Sequence, residues 1–375
     1  MVYLDYAATT PLRSEVREAM MPWLTNEFGN PSSHYEIGRR ASDAVWNARE
    51  TIASMIGADP EEIFFTSGGS EANTWAIAGL YHIDTCGHVL MSNIEHHSIL
   101  NTRKKKLLIG VDQEGMLDLE ALEKNIEYNT PLVSVMMVNN EIGTIEPIEA
   151  IDDICSKNEV FLHIDAVQAF GHFPIKVTQY SAVSTMSASA HKIGGPKGIG
   201  FLYIQRAVQS LYDSLICGGQ QEFGKRGGTE NVAGIIGFAK ACELANKEME
   251  IVYDKNKLLQ RTMWDILSHA LPDIYLNGAS LDSGNRLINN LNIRFDGIRA
   301  EELMELLNTH EVYVSSGSAC NSDSDEPSHV LKSIGLTDDE ANSSIRITLG
   351  NVTSKEEIEL ASRIIINDVN LLRNR

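Results

Sequence analysis

No apolar run in the 375-residue chain approaches the roughly 20 residues that a membrane-spanning helix needs; Leu132–Val138, interrupted by Ser134, is among the longest. The start, Met1-Val2-Tyr3-Leu4-Asp5-Tyr6, carries neither a basic nor an apolar targeting segment, so no secretion or organelle import is expected. A cytoplasmic location and no membrane partner follow as expectations. Positive charge is scarce: 31 Lys and Arg face 51 Asp and Glu, a formal −20 that repels phosphate backbones and disfavours a direct nucleic-acid partner. Cysteine is scarce as well, and Cys86, Cys155, Cys217, Cys242 and Cys320 form no CxxC pair, which excludes a zinc ribbon and a disulfide framework. No HExxH or HxH occurs, and His96 and His97 are adjacent rather than one helical turn apart, so no metal site is expected. Repeats of 20–50 residues and long low-complexity tracts are also missing.

What remains is an ordinary globular composition, 43% hydrophobic and 22% charged, in a chain long enough for about two domains. From about residue 50 to 205, strand-like runs alternate with amphipathic helices: 62–66, a helix over 70–81, 88–92, 132–139, a helix over 148–157, 160–165, 182–187 and 200–204. That alternation predicts an α/β fold with a mostly parallel sheet covered by helices on both faces. After Thr229 comes a long helical stretch, 232–269. Then a strand over 286–295, a helix over 299–310, and short strands at 312–314 and 344–349 predict a smaller α+β domain at the carboxyl end. The first dozen residues read as extended, with no place assigned to them by pattern.

In an open α/β sheet, ligands sit beyond the carboxyl ends of the strands. Five predicted strand ends carry unusual polar residues here. Ser67-Gly68-Gly69-Ser70 opens a helix, where free N–H groups and the helix dipole favour a phosphate. Asn93–His97 follows the second strand and Asn139–Gly143 the third. Asp165-Ala166-Val167-Gln168 ends the fourth, and Ser189-Ala190-His191-Lys192 the fifth. A phosphate cradle, a carboxylate, an imidazole and a lysine on neighbouring strand ends make a coherent pocket for pyridoxal 5′-phosphate. The lysine forms the Schiff base, the carboxylate keeps the pyridine nitrogen protonated, and the imidazole stacks on the ring.

At these residues the sequence resembles the cysteine desulfurases, enzymes of aminotransferase class V with the fold-type-I architecture. The matching segments run in order from Tyr3–Pro11 through Phe28–Pro31, Phe65–Glu71, Glu95-His96, Val138–Gly143, His163–Gln168, His191-Lys192, Gly195–Gly200, Arg226–Asn231 and Ser315–Cys320 to Ser343–Arg346. The Ser315–Cys320 segment with Asn321–Pro327 after it is similar to the subgroup with the longer catalytic loop. Met137, Gly194, Gln220 and Phe223 depart from the usual pattern of that family.

The resemblance implies roles position by position. Lys192 would carry the cofactor and move the substrate α-proton, with His96 stacking on the ring and assisting. Asp165 would pair with the ring nitrogen and Gln168 with the ring hydroxyl. Gly69, Ser70, Ser189 and His191 would hold the phosphate, with Thr229 reaching in from a second subunit of a homodimer. Asn140 and Arg346 would clamp the substrate carboxylate. Cys320 would take sulfur from L-cysteine as a persulfide, leaving alanine, and pass it to acceptor proteins of iron–sulfur cluster, thiamine or tRNA-thiolation pathways. The acidic neighbours Asp323, Asp325 and Glu326 oppose thiolate formation, so activation of Cys320 is expected beside Lys192 and His96. The implied division is a large cofactor-binding domain, 12–250, and a small domain of 1–11 and 251–375 that carries the catalytic cysteine loop. An aminotransferase, a selenocysteine lyase and a non-catalytic scaffold are the competing readings. The essential loop thiol and the retained Lys192, Asp165 and His96 weigh against the first and the last.

Overall fold

The computed structural model describes residues 1–80, 87–316 and 326–375; Cys86 and Cys320 lie outside them. Its strands are β1 (Val2–Tyr3), β2 (Ile63–Thr66), β3 (Val89–Ser92), β4 (Lys106–Ile109), β5 (Leu132–Met136), β6 (Phe161–Asp165), β7 (Val183–Ser189), β8 (Gly200–Ile204), β9 (Ile274–Leu276), β10 (Asn290–Phe295), β11 (Val312–Tyr313) and β12 (Ser344–Thr348). Seven of them form one sheet in the order β2-β8-β7-β6-β5-β3-β4. The neighbours from β4 to β7 are parallel, and β8 runs antiparallel to both β7 and β2. The mostly parallel α/β sheet read from the sequence is therefore present.

Its strands are apolar on both faces because both faces are covered. Successive residues alternate between two cores: Phe65, Leu90, Val133 and Phe201 enter one, while Phe64, Val89, Leu132 and Leu202 enter the other. The first core is closed by Val45, Ile52 and Ile56 of helix Glu36–Ile56, Ile151 of helix Ile148–Lys157 and Phe238 of helix Val232–Ala270. The second is closed by Trp75 and Ile77 of helix Gly69–Ala78.

A separate core lies around the sheet β12-β10-β9 and the helices Ala300–Thr309 and Lys355–Arg373. The helix Val232–Ala270 serves both bodies. Ile235 and Phe238 pack in the first core, and Leu259, Met263 and Leu267 in the last. The extended amino terminus also finds its place: β1 pairs in parallel with β11, Val2 opposite Val312, and Val2 and Leu4 are buried in the carboxyl-terminal core.

Two sequence expectations need correction. The strand expected from Arg286 begins only at Asn290, because the Arg286 guanidinium turns inward onto the Ala279 and Asn277 carbonyls and the Asn290 side chain. The helix expected over 70–81 starts at Gly69 and ends at Ala78, with Gly79 as its C-cap.

Candidate active site

The chain order along the sheet reverses between β3 and β5, since β4 lies outside β3 while β6 and β7 follow β5 on the other side. Such a switch point opens a crevice at the carboxyl ends of the strands. A cavity of about 410 Å³ lies there. Its lining includes Gly69, Ser70, His96, Asn140, Asp165, Gln168, Ser189, His191, Lys192 and Arg346, so the fold brings together ten predicted site residues from six segments of the chain. Thr229 does not join them; it lines a separate crevice with Ser67, Arg226 and Gly228.

One end of the cavity is the start of helix Gly69–Ala78. Gly68, its N-cap, has φ 152° and ψ −176°, a region open essentially to glycine, and caps nothing with a side chain. The helix therefore presents its first N–H groups and its positive dipole end without a competing oxygen. The turn is braced by Glu71, which accepts the Ser67 N–H at 2.8 Å and pairs with Arg226 at 2.9 Å. Ser189 closes β7 beside this turn, and His191 meets the Thr9 hydroxyl at 3.1 Å. Burial, together with Lys192 and Lys197, pushes His191 down to about 4, so it is a neutral hydrogen-bonding group at pH 7.

Across the cavity, Asp165 ends β6 with 4% exposure. Its carboxylate accepts the Val167 N–H at 2.9 Å on Oδ1 and the Asn73 amide at 2.7 Å on Oδ2. Lys192 approaches from the turn after β7, its Nζ donating to the carbonyls of Ala7 and, at 2.9 Å, Ala8. Gln168 Nε2 donates to the same Ala7 carbonyl at 2.9 Å. The turn that follows the amino-terminal strand thus delivers backbone acceptors into the site. Neither the strand's position nor this role is legible in its residue pattern.

His96 caps the short helix His97–Leu100, and its Nδ1 accepts the Ser98 N–H at 3.1 Å with the Ser98 hydroxyl at 2.8 Å. A ring nitrogen that accepts a backbone N–H carries no proton, so the His96 proton resides on Nε2. Burial lowers the His96 pKa, Lys192 and His97 add to that, and Asp165 opposes it.

Arg346, on β12, is 3% exposed and reaches across from the smaller sheet. Nη2 donates to Asp5 Oδ1 at 2.8 Å and Nη1 to the Asn140 carbonyl at 3.1 Å. Its backbone exchanges hydrogen bonds of 2.6 and 3.1 Å with Ser315, two residues before the undescribed segment 317–325. On the other side of that segment, Ser328 donates to Glu141 Oε2 at 2.5 Å. Burial pushes Glu141 up to about 7, against the pull of Ser328 and Arg346. Both described flanks of the segment holding Cys320 are therefore tied to the Asn140-Glu141 and Arg346 corner of the cavity.

Sequence reading missed Asn73, Ser98 and Asp5. Asp5 stands in a stretch without period, and Asn73 lies one turn after Gly69, where only helix phase could have marked it.

Residues 2–360 match the aminotransferase class-V family model. The chain is 45% identical to cysteine desulfurase IscS of Dictyoglomus turgidum over 99% of this chain and 95% of that protein. It is 42% identical to cysteine desulfurase IscS of Methanosarcina thermophila over 100% and 93%. Among solved structures, a NifS-like protein superposes with a TM-score of 0.91 at 33% identity over 99% of both chains. One of SspA in complex with cysteine superposes at 0.82 with 34% identity, over 94% of this chain and all of that one. Matched across nearly its whole length in sequence and in fold, with the polar cluster at the sheet's switch point intact, the chain belongs to the aminotransferase class-V family.

Proposed function

We propose that the chain is a pyridoxal 5′-phosphate-dependent cysteine desulfurase, which takes sulfur from L-cysteine, releases L-alanine and holds the sulfur as a persulfide on Cys320. The observation that carries this reading is the single cavity in which the uncapped helix start, Asp165, His96, Lys192 and Arg346 meet. The cavity's donor set fits the cofactor. Free N–H groups at Gly69 and Ser70 suit a phosphate dianion. A Cβ at position 69 would come within 2.7 Å of Val167, so glycine keeps that approach open. Asp165 offers a buried carboxylate whose two other hydrogen bonds are already made. Bound there, the cofactor supplies an aldehyde for Lys192 and a ring that withdraws electrons from the substrate α-carbon.

This chain's own residues do the rest. Arg346, with the Asn140 side chain in the same cavity, receives the substrate carboxylate; a guanidinium matches two carboxylate oxygens, and Asp5 holds it in place. Lys192 takes the α-proton and later returns one. His96 is neutral with its proton on Nε2, so it presents a flat face and a donor rather than a second cation. Cys320 lies outside the described residues, and its part follows from the reaction. The thiolate attacks the substrate sulfur, an S–S bond forms as the C–S bond breaks, and the electron pair stays on the carbon that becomes the alanine methyl group after protonation. Cysteine and thiol together give alanine and persulfide, with no external oxidant.

A homodimer completes the site in this reading: Thr229 lines a crevice apart from its own chain's cavity, and its hydroxyl would serve the cofactor of a partner chain. Sulfur then passes to acceptor proteins, of which iron–sulfur cluster assembly, thiamine synthesis and tRNA thiolation are the candidates. The buried thiols of Cys155 and Cys242 and the exposed thiol of Cys217, all free, support work in a reducing cytoplasm. No described helix is long and apolar enough to cross a membrane.

The test is turnover of labelled cysteine by the purified protein and its Cys320→Ala variant. Alanine and a trapped persulfide on Cys320 are expected from the first. The variant is expected to retain cofactor absorbance but lose persulfide and catalytic turnover under reductant. Undiminished turnover by Cys320→Ala would rule out the assignment.

A further inference from the structure

Asn73 is 1% exposed and makes more polar contacts within the site than any role read from the sequence accounts for. Its Nδ2 lies 2.7 Å from Asp165 Oδ2 and 2.9 Å from Ser98 Oγ, and its Oδ1 meets the Ser187 hydroxyl and, at 3.3 Å, His163 Nε2. The partners of the Asn73 amide fix which way it faces. A carboxylate only accepts, so the amide NH2 must face Asp165, and its second hydrogen goes to Ser98 Oγ. The amide oxygen then accepts the Ser187 O–H and lies 3.3 Å from His163 Nε2. His163 Nδ1 lies 2.9 Å from the Thr185 hydroxyl. Ser98, having accepted from Asn73, turns its own proton to His96 Nδ1. Both hydrogens and the oxygen of the Asn73 amide have partners within the cluster.

The amide thus touches, directly or through one hydroxyl, both the carboxylate and the imidazole that flank the cavity, and it does so from the helix whose first turn forms the phosphate cradle. Resting on the functional reading above, we infer that Asn73 is a positioning residue that locks Asp165 and, through Ser98, His96 in the mutual orientation with which they receive the cofactor ring. Leucine at this position keeps the γ-branched, four-atom side chain while removing every hydrogen bond. Ser98→Ala cuts only the branch to His96, and Ser98→Thr keeps the hydroxyl.

The experiment is equilibrium uptake of pyridoxal 5′-phosphate by the apo form of the full chain, followed by absorbance, with kcat and KM for cysteine measured at saturating cofactor. Loss of a hydrogen bond to a charged group predicts that Asn73→Leu binds the cofactor about 10- to 100-fold more weakly. Ser98→Ala is expected to lose several-fold in kcat with KM for cysteine within about twofold, and Ser98→Thr to recover it. If Asn73→Leu does not fold, the Ser98 pair decides. Cofactor affinity and spectrum in Asn73→Leu matching the parent, or Ser98→Ala indistinguishable from Ser98→Thr, overturn the inference alone. A parent chain that takes up no pyridoxal phosphate overturns the functional reading with it.

Discussion

Arg346 is asked to do more than one hydrogen bond's work. Its two Nη atoms already hold Asp5 and the Asn140 carbonyl, and in the proposed reaction it must still present a planar face of donors to the substrate carboxylate. Arg346→Lys keeps the charge but offers a single ammonium, so KM for cysteine is expected to rise about 10- to 100-fold with a smaller effect on kcat, measured by steady-state alanine release. Glu146 permits a prediction of a different kind. Its Oε2 accepts the Leu117 N–H at 2.9 Å, its Oε1 is buried with no partner, and burial raises its pKa to about 8. The folded chain then holds a proton that the unfolded chain releases near its ordinary value of 4.5, so stability falls as pH rises from about 4.5 to 8 and levels off above. Glu146→Gln lacks that loss. Its melting temperature is expected to gain on the parent between pH 5 and 8 by an amount corresponding to roughly 3 kcal/mol, then to stay parallel. Lys192, Asp165 and His96 are legible in the sequence because polar residues at the ends of apolar strands contradict the local pattern. Asn73 is not, since an asparagine inside a helix reads as a neutral surface position until the fold buries it.

At the scale of elements, the legible strands are those buried on both faces, whose continuous apolar runs have no other use. β4 escapes because three of its four residues are exposed and it follows the basic run Arg103–Lys105, which reads as a solvated loop. Lys106 opens this outer edge strand, and a charged residue there discourages pairing with another chain. The two-residue β1 is equally hidden, because a parallel pair with β11, some 310 positions away, leaves no local signal. The cradle element offers a direct test. A Cβ at position 68 would meet open space, the nearest atom being Ser189 Oγ at 3.9 Å, yet the φ of 152° there is closed to other residues. Gly68→Ala therefore carries backbone strain of about 1–3 kcal/mol without a steric clash, and relief of that strain would turn the first helical N–H groups away from the cavity. A lowered melting temperature together with weaker uptake of inorganic phosphate and of pyridoxal phosphate is expected. Unchanged uptake in a destabilised variant would show that the cradle does not depend on this turn.

The 39-residue helix Val232–Ala270 joins the first core of the large sheet to the carboxyl-terminal core, which also buries the amino-terminal strand, and the cavity takes Arg346 from the smaller sheet and Lys192, His96 and Asp165 from the larger sheet's strand ends. That arrangement makes the site a product of tertiary assembly, which is why its residue types are readable from the sequence while their mutual distances are not. Thr229 extends the reasoning to the quaternary level. It lines a crevice beside the Ser67 turn rather than its own chain's cavity, so in the proposed dimer its hydroxyl serves the partner's cofactor. A Thr229→Ala homodimer should bind pyridoxal phosphate several-fold more weakly, the worth of about one hydrogen bond. A Lys192→Ala homodimer should form no covalent adduct at all. In a mixed dimer, the Thr229→Ala chain keeps its own Lys192 and receives an intact Thr229 from the Lys192→Ala chain, whereas the reciprocal site has neither. Half the sites should therefore regain parental affinity when the two variants are co-expressed and the heterodimer is isolated by differential tags. A mixture whose cofactor affinity is that of the Thr229→Ala homodimer would place Thr229 in its own chain's site, and the crevice it occupies would then have to open toward Lys192 within one chain.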